Sequence, residues 1–228
     1  MHLRLQLVVL ATALGTTVVQ ARCDSSVSSA RNRDGSALKL NVSYCEGSAH
    51  RNVVVHYQQA AGSPLRRVLS VVQDAEEAPT GGAVLQDIDG DGEHEVELRG
   101  MCGAGPNCEG TIYRLTRDRS SMFRFFWGGY SSLKSLSGYL IESGRSSCCS
   151  WEHHVYTQRS KHREITADDM LYRVVVGVTP EGNEPDGPTC AFYDKANQLV
   201  LPAYRALLSL CEVYGPEYTL AKPRLQPR

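Results

Sequence analysis

Residues 87 to 98 read "DIDGDGEHEVEL", and the way this stretch is divided decides the fold. Asp87, Asp89 and Asp91 stand at alternate positions, Gly92 follows, and "HEVEL" then alternates apolar and polar residues. The second half has the period of a strand, and the first half has that of a loop curling around a hard cation. In such a loop positions 1, 3 and 5 supply side-chain oxygens. Here these are Asp87, Asp89 and Asp91, with the backbone carbonyl of Glu93 at position 7 and Glu95 at position 9, directly or through water. Glycine at position 6 makes the sharp turn. Three or four carboxylates without thiolate or imidazole select Ca2+ over zinc.

The flanks exclude a helix–loop–helix site. Position 12 is Leu98 rather than a bidentate Glu, Pro79, Gly81 and Gly82 stand upstream, and the downstream side alternates up to Gly100. Strand, loop, strand is the reading, with a structural ion of modest affinity, ~10⁻⁴ to 10⁻³ M, that switches nothing.

Working outward, alternation continues in "LKLNVSY" from Leu38, "NVVVHYQ" from Asn52, "RRVLSVV" from Arg66, "TIYRLT" from Thr111 and "MFRFFW" from Met122. It returns in "YLIESG", "EHHVYTQ" and "LYRVVVGV". Short runs rich in β-branched and aromatic residues, parted by turns such as "CEGSAH", "AAGSP" and "RDRSS", predict an antiparallel all-β sandwich, barrel or propeller. Two strand–turn–strand units of similar feel hint at repeated blades. Helix signals are few: "LPAYRALLSL" from Leu201 predicts one short C-terminal helix with Ala203, Leu207 and Leu210 inward, and "ITADDMLY" a further turn. Thr179–Pro188 is expected to be a surface loop.

At the N-terminus, Arg4, the apolar run "LQLVVLATALG" and small residues at Val19 and Ala21 predict a signal peptide over 1–21, cleaved after Ala21. No segment is long enough to span a bilayer. A single domain over 22–228 is the expectation. Lys+Arg 24 against Asp+Glu 25 points to neither nucleic acid nor an anionic membrane as partner. Eight cysteines behind an export signal imply disulfides. Cys102–Cys108 around a Gly/Pro loop is the firmest pair, Cys190–Cys211 and Cys23–Cys45 follow, and adjacent Cys148 and Cys149 serve either separate partners or each other.

No motif marks a catalytic centre. His153 and His154 would point apart on a strand and are read as exposed strand histidines, and no G-x-S-x-G elbow or P-loop occurs. "NVS" at Asn41 is expected to stay unglycosylated. Between Gly128 and Gly144, "GGYSSLKSLSGYLIESG" offers Tyr130 and Tyr139 amid Ser and Gly, the composition of a recognition surface, or of an ordinary connector.

The Asp loop resembles the DxDxDGxxD loops of integrin-type FG-GAP β-propellers. With the export signal, "CCSWEHHVY" and the terminal "LCEVYGPEYTL", the chain looks like bacterial periplasmic immunity proteins that inhibit lysozyme-like effectors delivered by type IV secretion systems. These are related in shape to periplasmic inhibitors of invertebrate-type lysozyme. The resemblance implies a small calcium-stabilised β-propeller-like domain in the periplasm, with no catalysis of its own and a secreted peptidoglycan hydrolase as partner. Such inhibitors insert an S-G-x-Y loop into the target's cleft. The nearest match is Ser137, Gly138, Tyr139, with the tyrosine one position early, which in extended chain turns it to the opposite face. The alternatives are a glycan hydrolase using paired carboxylates and an adhesive propeller without inhibitory activity.

Overall fold

In the computed structural model the described residues are 22–74, 82–103, 105–158, 161–178 and 187–223. The expected signal peptide, Pro79 and Gly81, and most of the expected loop over Thr179–Pro188 lie outside them.

The described chain is all-β, in three antiparallel sheets. β1 (Cys23–Arg31), β2 (Ala37–Cys45), β3 (His50–Gln58) and β4 (Arg66–Asp74) form a four-stranded meander in chain order. β5 (Ala83–Gln86), β6 (Glu95–Cys102), β7 (Cys108–Leu115) and β8 (Met122–Tyr130) form a second. The third sheet runs from β9 (Ser132–Leu136) through β10 (Tyr139–Ser147), β11 (Ser150–Thr157), β12 (Met170–Gly177) and β13 (Thr189–Tyr193) to β14 (Leu199–Val200). β15 (Thr219–Leu220) pairs with β13 in parallel.

Period-2 burial explains the stacking. In β3, Val53, Val55 and Tyr57 are buried and pack with Leu38 and Leu40 of β2. Val96 and Leu98 of β6 belong to the same cluster. The alternate residues Glu95 and Glu97 are buried as well, so β6 is covered on both faces. A second cluster joins Ile112, Phe125, Phe126 and Tyr130 of the middle sheet to Leu140 and Tyr156 of the third. A third cluster lays Leu207 and Leu210 on Val174, Val176 and Phe192.

The expected short C-terminal helix is a 3-10 run, Arg205–Tyr214, interrupted at Glu212 and starting after Leu201. In a 3-10 helix residues i and i+3 eclipse, which suits Leu207 and Leu210 as the buried pair. Ala203, expected inward, is exposed before the helix begins. The turn read in "ITADDMLY" is the 3-10 segment Ala167–Asp169.

The three expected disulfides are present: Cys23–Cys45 across β1 and β2, Cys102–Cys108 across β6 and β7, and the buried Cys190–Cys211, which ties the helix to β13. They fit an extracytoplasmic protein. No helix among the described residues is long and apolar enough to cross a membrane.

Candidate functional site

The Asp loop bridges β5 and β6, a strand hairpin as the alternation predicts. Gly90 and Gly92 take positive φ of 73° and 87°, a conformation that side chains rarely adopt. The Gly92 N–H donates to Asp87 Oδ2 at 2.9 Å, the Asp91 N–H to Asp89 Oδ1 at 3.2 Å, and the Glu93 N–H to Asp91 Oδ1 at 2.7 Å. These turns gather oxygens of Asp87, Asp89 and Asp91 within 4.8 Å of one another. Asp87 Oδ1 is buried with no hydrogen-bond partner. A buried carboxylate oxygen without a donor is costly, and a divalent ion among the three acids would satisfy it. This donor set fits Ca2+.

Glu93 and Glu95 do not join that cluster with their side chains. The Glu93 carboxylate pairs with Arg119 Nη2 at 2.6 Å, which leaves only the backbone role the loop pattern gives it. Glu95 is fully buried, accepts Arg114 Nε at 2.8 Å, and takes the Ile88 N–H at 3.0 Å. Arg114 also reaches Asp89 Oδ2 at 3.0 Å and lies 3.7 Å from the Phe125 ring centroid. Glu95 is thus a strut that closes the loop through Arg114. Burial pushes its carboxyl up to about 7, against the pull of Arg114. Lys161 Nζ sits 2.5 Å from Asp91 Oδ2, where it partly neutralises the acids. For Asp91 the effect of burial is outweighed by Lys161 and the Glu93 N–H, and its carboxyl falls below the usual range.

Sheet one holds the loop from outside. The Arg33 N–H donates to the Gly92 carbonyl at 2.8 Å, Arg33 Nη2 to the Gly90 carbonyl at 3.3 Å, and Asn32 Oδ1 accepts the His94 N–H at 2.9 Å. The loop therefore fastens the β1–β2 turn to the middle sheet. Arg114, Lys161, Arg33 and Asn32 escaped the sequence reading because each reaches the loop from another element, with no local spacing to announce it.

The expected recognition stretch divides in two. Tyr130 does not project: it is fully buried at the end of β8, its hydroxyl donating to Glu97 Oε1 at 2.9 Å. Its ring lies over Gly110, where an added Cβ would come within 2.1 Å of the hydroxyl oxygen. A phenol beside a glycine and a buried acid is a core group, and burial raises its pKa further.

Ser137 and Gly138, in contrast, are the exposed two-residue tip of the β9–β10 hairpin, with Leu136 opposite Tyr139. Their φ values of 51° and 83° are those of a type I′ turn, which matches strand twist. Tyr139 is half-buried, 5.4 Å by ring centroid from Tyr204. Tyr204 itself is 54% exposed, beside Leu201 in the segment read as helix.

The "WEHHV" histidines are not free surface groups. His153 is buried, its Nδ1 2.8 Å from Ser143 Oγ, and burial with nearby Lys134 and His154 lowers its pKa to about 4. His154 bridges two acids, Nδ1 to Glu142 Oε2 at 2.9 Å and Nε2 to Glu152 Oε1 at 2.7 Å. Its pKa is raised, first by the hydrogen bond to Glu142, against desolvation. Glu142 also accepts the Tyr156 hydroxyl at 2.7 Å and the Gly129 N–H at 3.1 Å. The histidines do point to opposite faces: His153 is buried against Ser143 of β10, whereas His154 stays half-buried between Glu142 of β10 and Glu152 of β11.

No protein-family model and no curated protein matches the sequence. Among solved structures, a Xanthomonas type IV secretion system related protein is similar with a TM-score of 0.44 and 13% identity, covering 79% of this chain and 100% of that one.

Proposed function

We propose that the chain is a periplasmic, calcium-stabilised binding protein that inhibits a lysozyme-like peptidoglycan hydrolase by presenting the β9–β10 tip to its substrate cleft. The observation that carries the reading is the tip itself. Ser137 and Gly138 are exposed on a two-residue turn at the edge of the third sheet, and the Tyr139–Tyr204 pair stands behind them. A short turn loses little conformational entropy on binding, and two aromatic rings add contact area at low cost. The similarity of Ser137-Gly138-Tyr139 to the S-G-x-Y loop of invertebrate-type lysozyme inhibitors supports the same surface.

In this reading the two four-stranded meanders are blades of a propeller-like domain, and Asp87, Asp89 and Asp91 hold Ca2+ with help from the Glu93 carbonyl. The ion supplies positive charge that lets three acids share one turn; the chain supplies the cradle and the Arg114–Glu95 strut. The second reading, a glycan hydrolase, would rest on Glu142 and Glu152, the two acids that flank His154.

Titration calorimetry against a lysozyme-type hydrolase, with and without a saturating N-acetylglucosamine oligomer, tests the insertion. Competition between chain and oligomer is expected. Tight binding that the oligomer leaves unchanged would place the contact outside the cleft and overturn the mechanism.

A further inference from the structure

Six of the eight cysteines are bonded, and the remaining two, Cys148 and Cys149, share the turn of the β10–β11 hairpin with their Sγ atoms 2.6 Å apart. Neighbours in a regular strand point to opposite faces. Here the β10–β11 register slips between Arg145 and Ser147, and the turn brings both sulfurs to one side. The turn is held on several sides. Ser150 Oγ meets Ser146 Oγ at 2.7 Å and Ser147 Oγ at 2.6 Å, and Ser147 Oγ accepts the Cys149 N–H at 3.2 Å. The Cys149 carbonyl accepts the Val178 N–H at 3.0 Å, and Arg145 Nη2 donates to the Cys148 carbonyl at 2.8 Å. The pair lines an open groove of about 410 Å³ together with Val175, Gly177, Ala191 and Tyr193.

With every other cysteine committed, the one intramolecular thiol within reach of each is its neighbour. We propose that Cys148 and Cys149 form a reversible dithiol–disulfide site, which closes to an eight-membered ring and reopens under conditions that leave the other three disulfides intact. This inference does not depend on the inhibitor reading.

The chemistry needs a disulfide of general form RS–SR, a small molecule or a thiol-oxidoreductase, as oxidant. Cys148 is the more exposed thiol, and the hydrogen bond with Cys148 raises the pKa of Cys149. The Cys148 thiolate therefore attacks first: a Cys148 S–SR bond forms, the RS–SR bond breaks, and RS⁻ leaves. Cys149 then loses its proton and attacks Cys148 Sγ, displacing the second RS⁻, which with the first takes up the two thiol protons. The two cysteines are oxidised by two electrons and RS–SR is reduced to two RSH. Opening is the reverse. The ring contains the planar 148–149 peptide, which opposes the ~90° twist a disulfide prefers, and it faces solvent; both features make a disulfide easier to reduce.

The test uses the full exported chain, prepared from an oxidising compartment. It is denatured and alkylated, digested, and mapped by mass spectrometry, then the mapping is repeated after equilibration in glutathione buffers of graded [GSH]²/[GSSG]. The expected starting material takes up no alkylating agent, and its Cys148–Cys149 peptide is two hydrogens lighter than the dithiol. In the graded buffers this pair is expected to be half open at a ratio at least a hundredfold lower than the others, about 59 mV for a two-electron couple. Cys148→Ser should leave one alkylatable thiol and an unchanged melting temperature. Two alkylated thiols at the start, linkage of either sulfur to another cysteine, or opening together with or after the other three would overturn the proposal.

Discussion

Replacing Asp87 by Asn separates the proposed calcium-binding role of the Asp loop from the rest of the fold. Asp87 Oδ2 accepts the Gly92 N–H, a bond that an amide oxygen can keep, whereas Oδ1 is the buried oxygen without a partner. The exchange therefore removes ligand charge and puts an NH2 group where the ion would sit, at little cost to the metal-free protein. Asp89→Asn is a poorer choice, since Asp89 also pairs with buried Arg114. A site of ~10⁻⁴ to 10⁻³ M affinity, exposed to 10 mM free calcium in the assay, stabilises the folded state by about 1.4 to 2.7 kcal/mol through mass action. For a domain of roughly 200 residues each kcal/mol moves the melting temperature by about 2 to 4 °C, so the wild-type shift between chelator and calcium should be about 3 to 11 °C. Circular dichroism melts of both proteins, in EGTA and in calcium, read the outcome. Asp87→Asn should melt close to wild type in EGTA and gain almost nothing from calcium. A wild type indifferent to calcium, or a variant that keeps the full gain, would show that Asp87 holds no calcium.

Four further perturbations reach other parts of the fold. Gly110→Ala should lower the urea midpoint by the equivalent of about 1 to 3 kcal/mol, because the new methyl group would drive Tyr130 off Glu97; an unchanged midpoint would show that the ring can retreat. His153 folds with its pKa lowered to about 4 from an unfolded value near 6.5, so its contribution is present above pH 6.5 and is lost as pH falls toward 4. Urea titrations between pH 7 and 4 should show a shallower acid limb in His153→Gln than in wild type, by up to about 3 kcal/mol; parallel limbs would place the proton elsewhere. His154 has the opposite sign: its raised pKa gives stability present below pH 6.5 that is lost as pH climbs through the folded value, and His154→Gln should remove that alkaline slope from the same titrations. Tyr204→Ala, exposed and outside the helix, should weaken hydrolase binding about tenfold in calorimetry with the melting temperature little changed; unaltered affinity would remove the aromatic pair from the interface.

Much of the sheet structure was legible because period-2 burial writes itself into sequence. Leu38, Leu40, Val53 and Val55 alternate on the chain as they do in the core. β1 was invisible for the complementary reason: "CDSSVSSAR" is exposed along nearly its whole length, so no apolar face marks it. The clustering of Asp87, Asp89 and Asp91 was readable from a local spacing, and the residues that hold their loop were not. Glu95 has the spacing of a ligand, but Arg114, a strand away, claims its carboxylate. Tyr130 has the composition of a surface residue's neighbourhood, Gly and Ser, yet the small residue that matters is Gly110 on the adjacent strand, whose missing side chain makes room for the ring. His153 and His154 alternate faces as a strand requires, but exposure depends on Ser143 and Glu142 across the ladder. Short-range pattern fixes elements and turns; cross-strand partners decide which polar groups are buried.

The inhibitor reading is tested most directly by following the turbidity of a peptidoglycan suspension with a lysozyme-type hydrolase and increasing amounts of the chain, beside the chain alone. Protection is expected to be complete near one chain per hydrolase and weakened in Tyr204→Ala, with no clearing by the chain itself. Undiminished lysis at a large excess of chain, or clearing without added hydrolase, would contradict it.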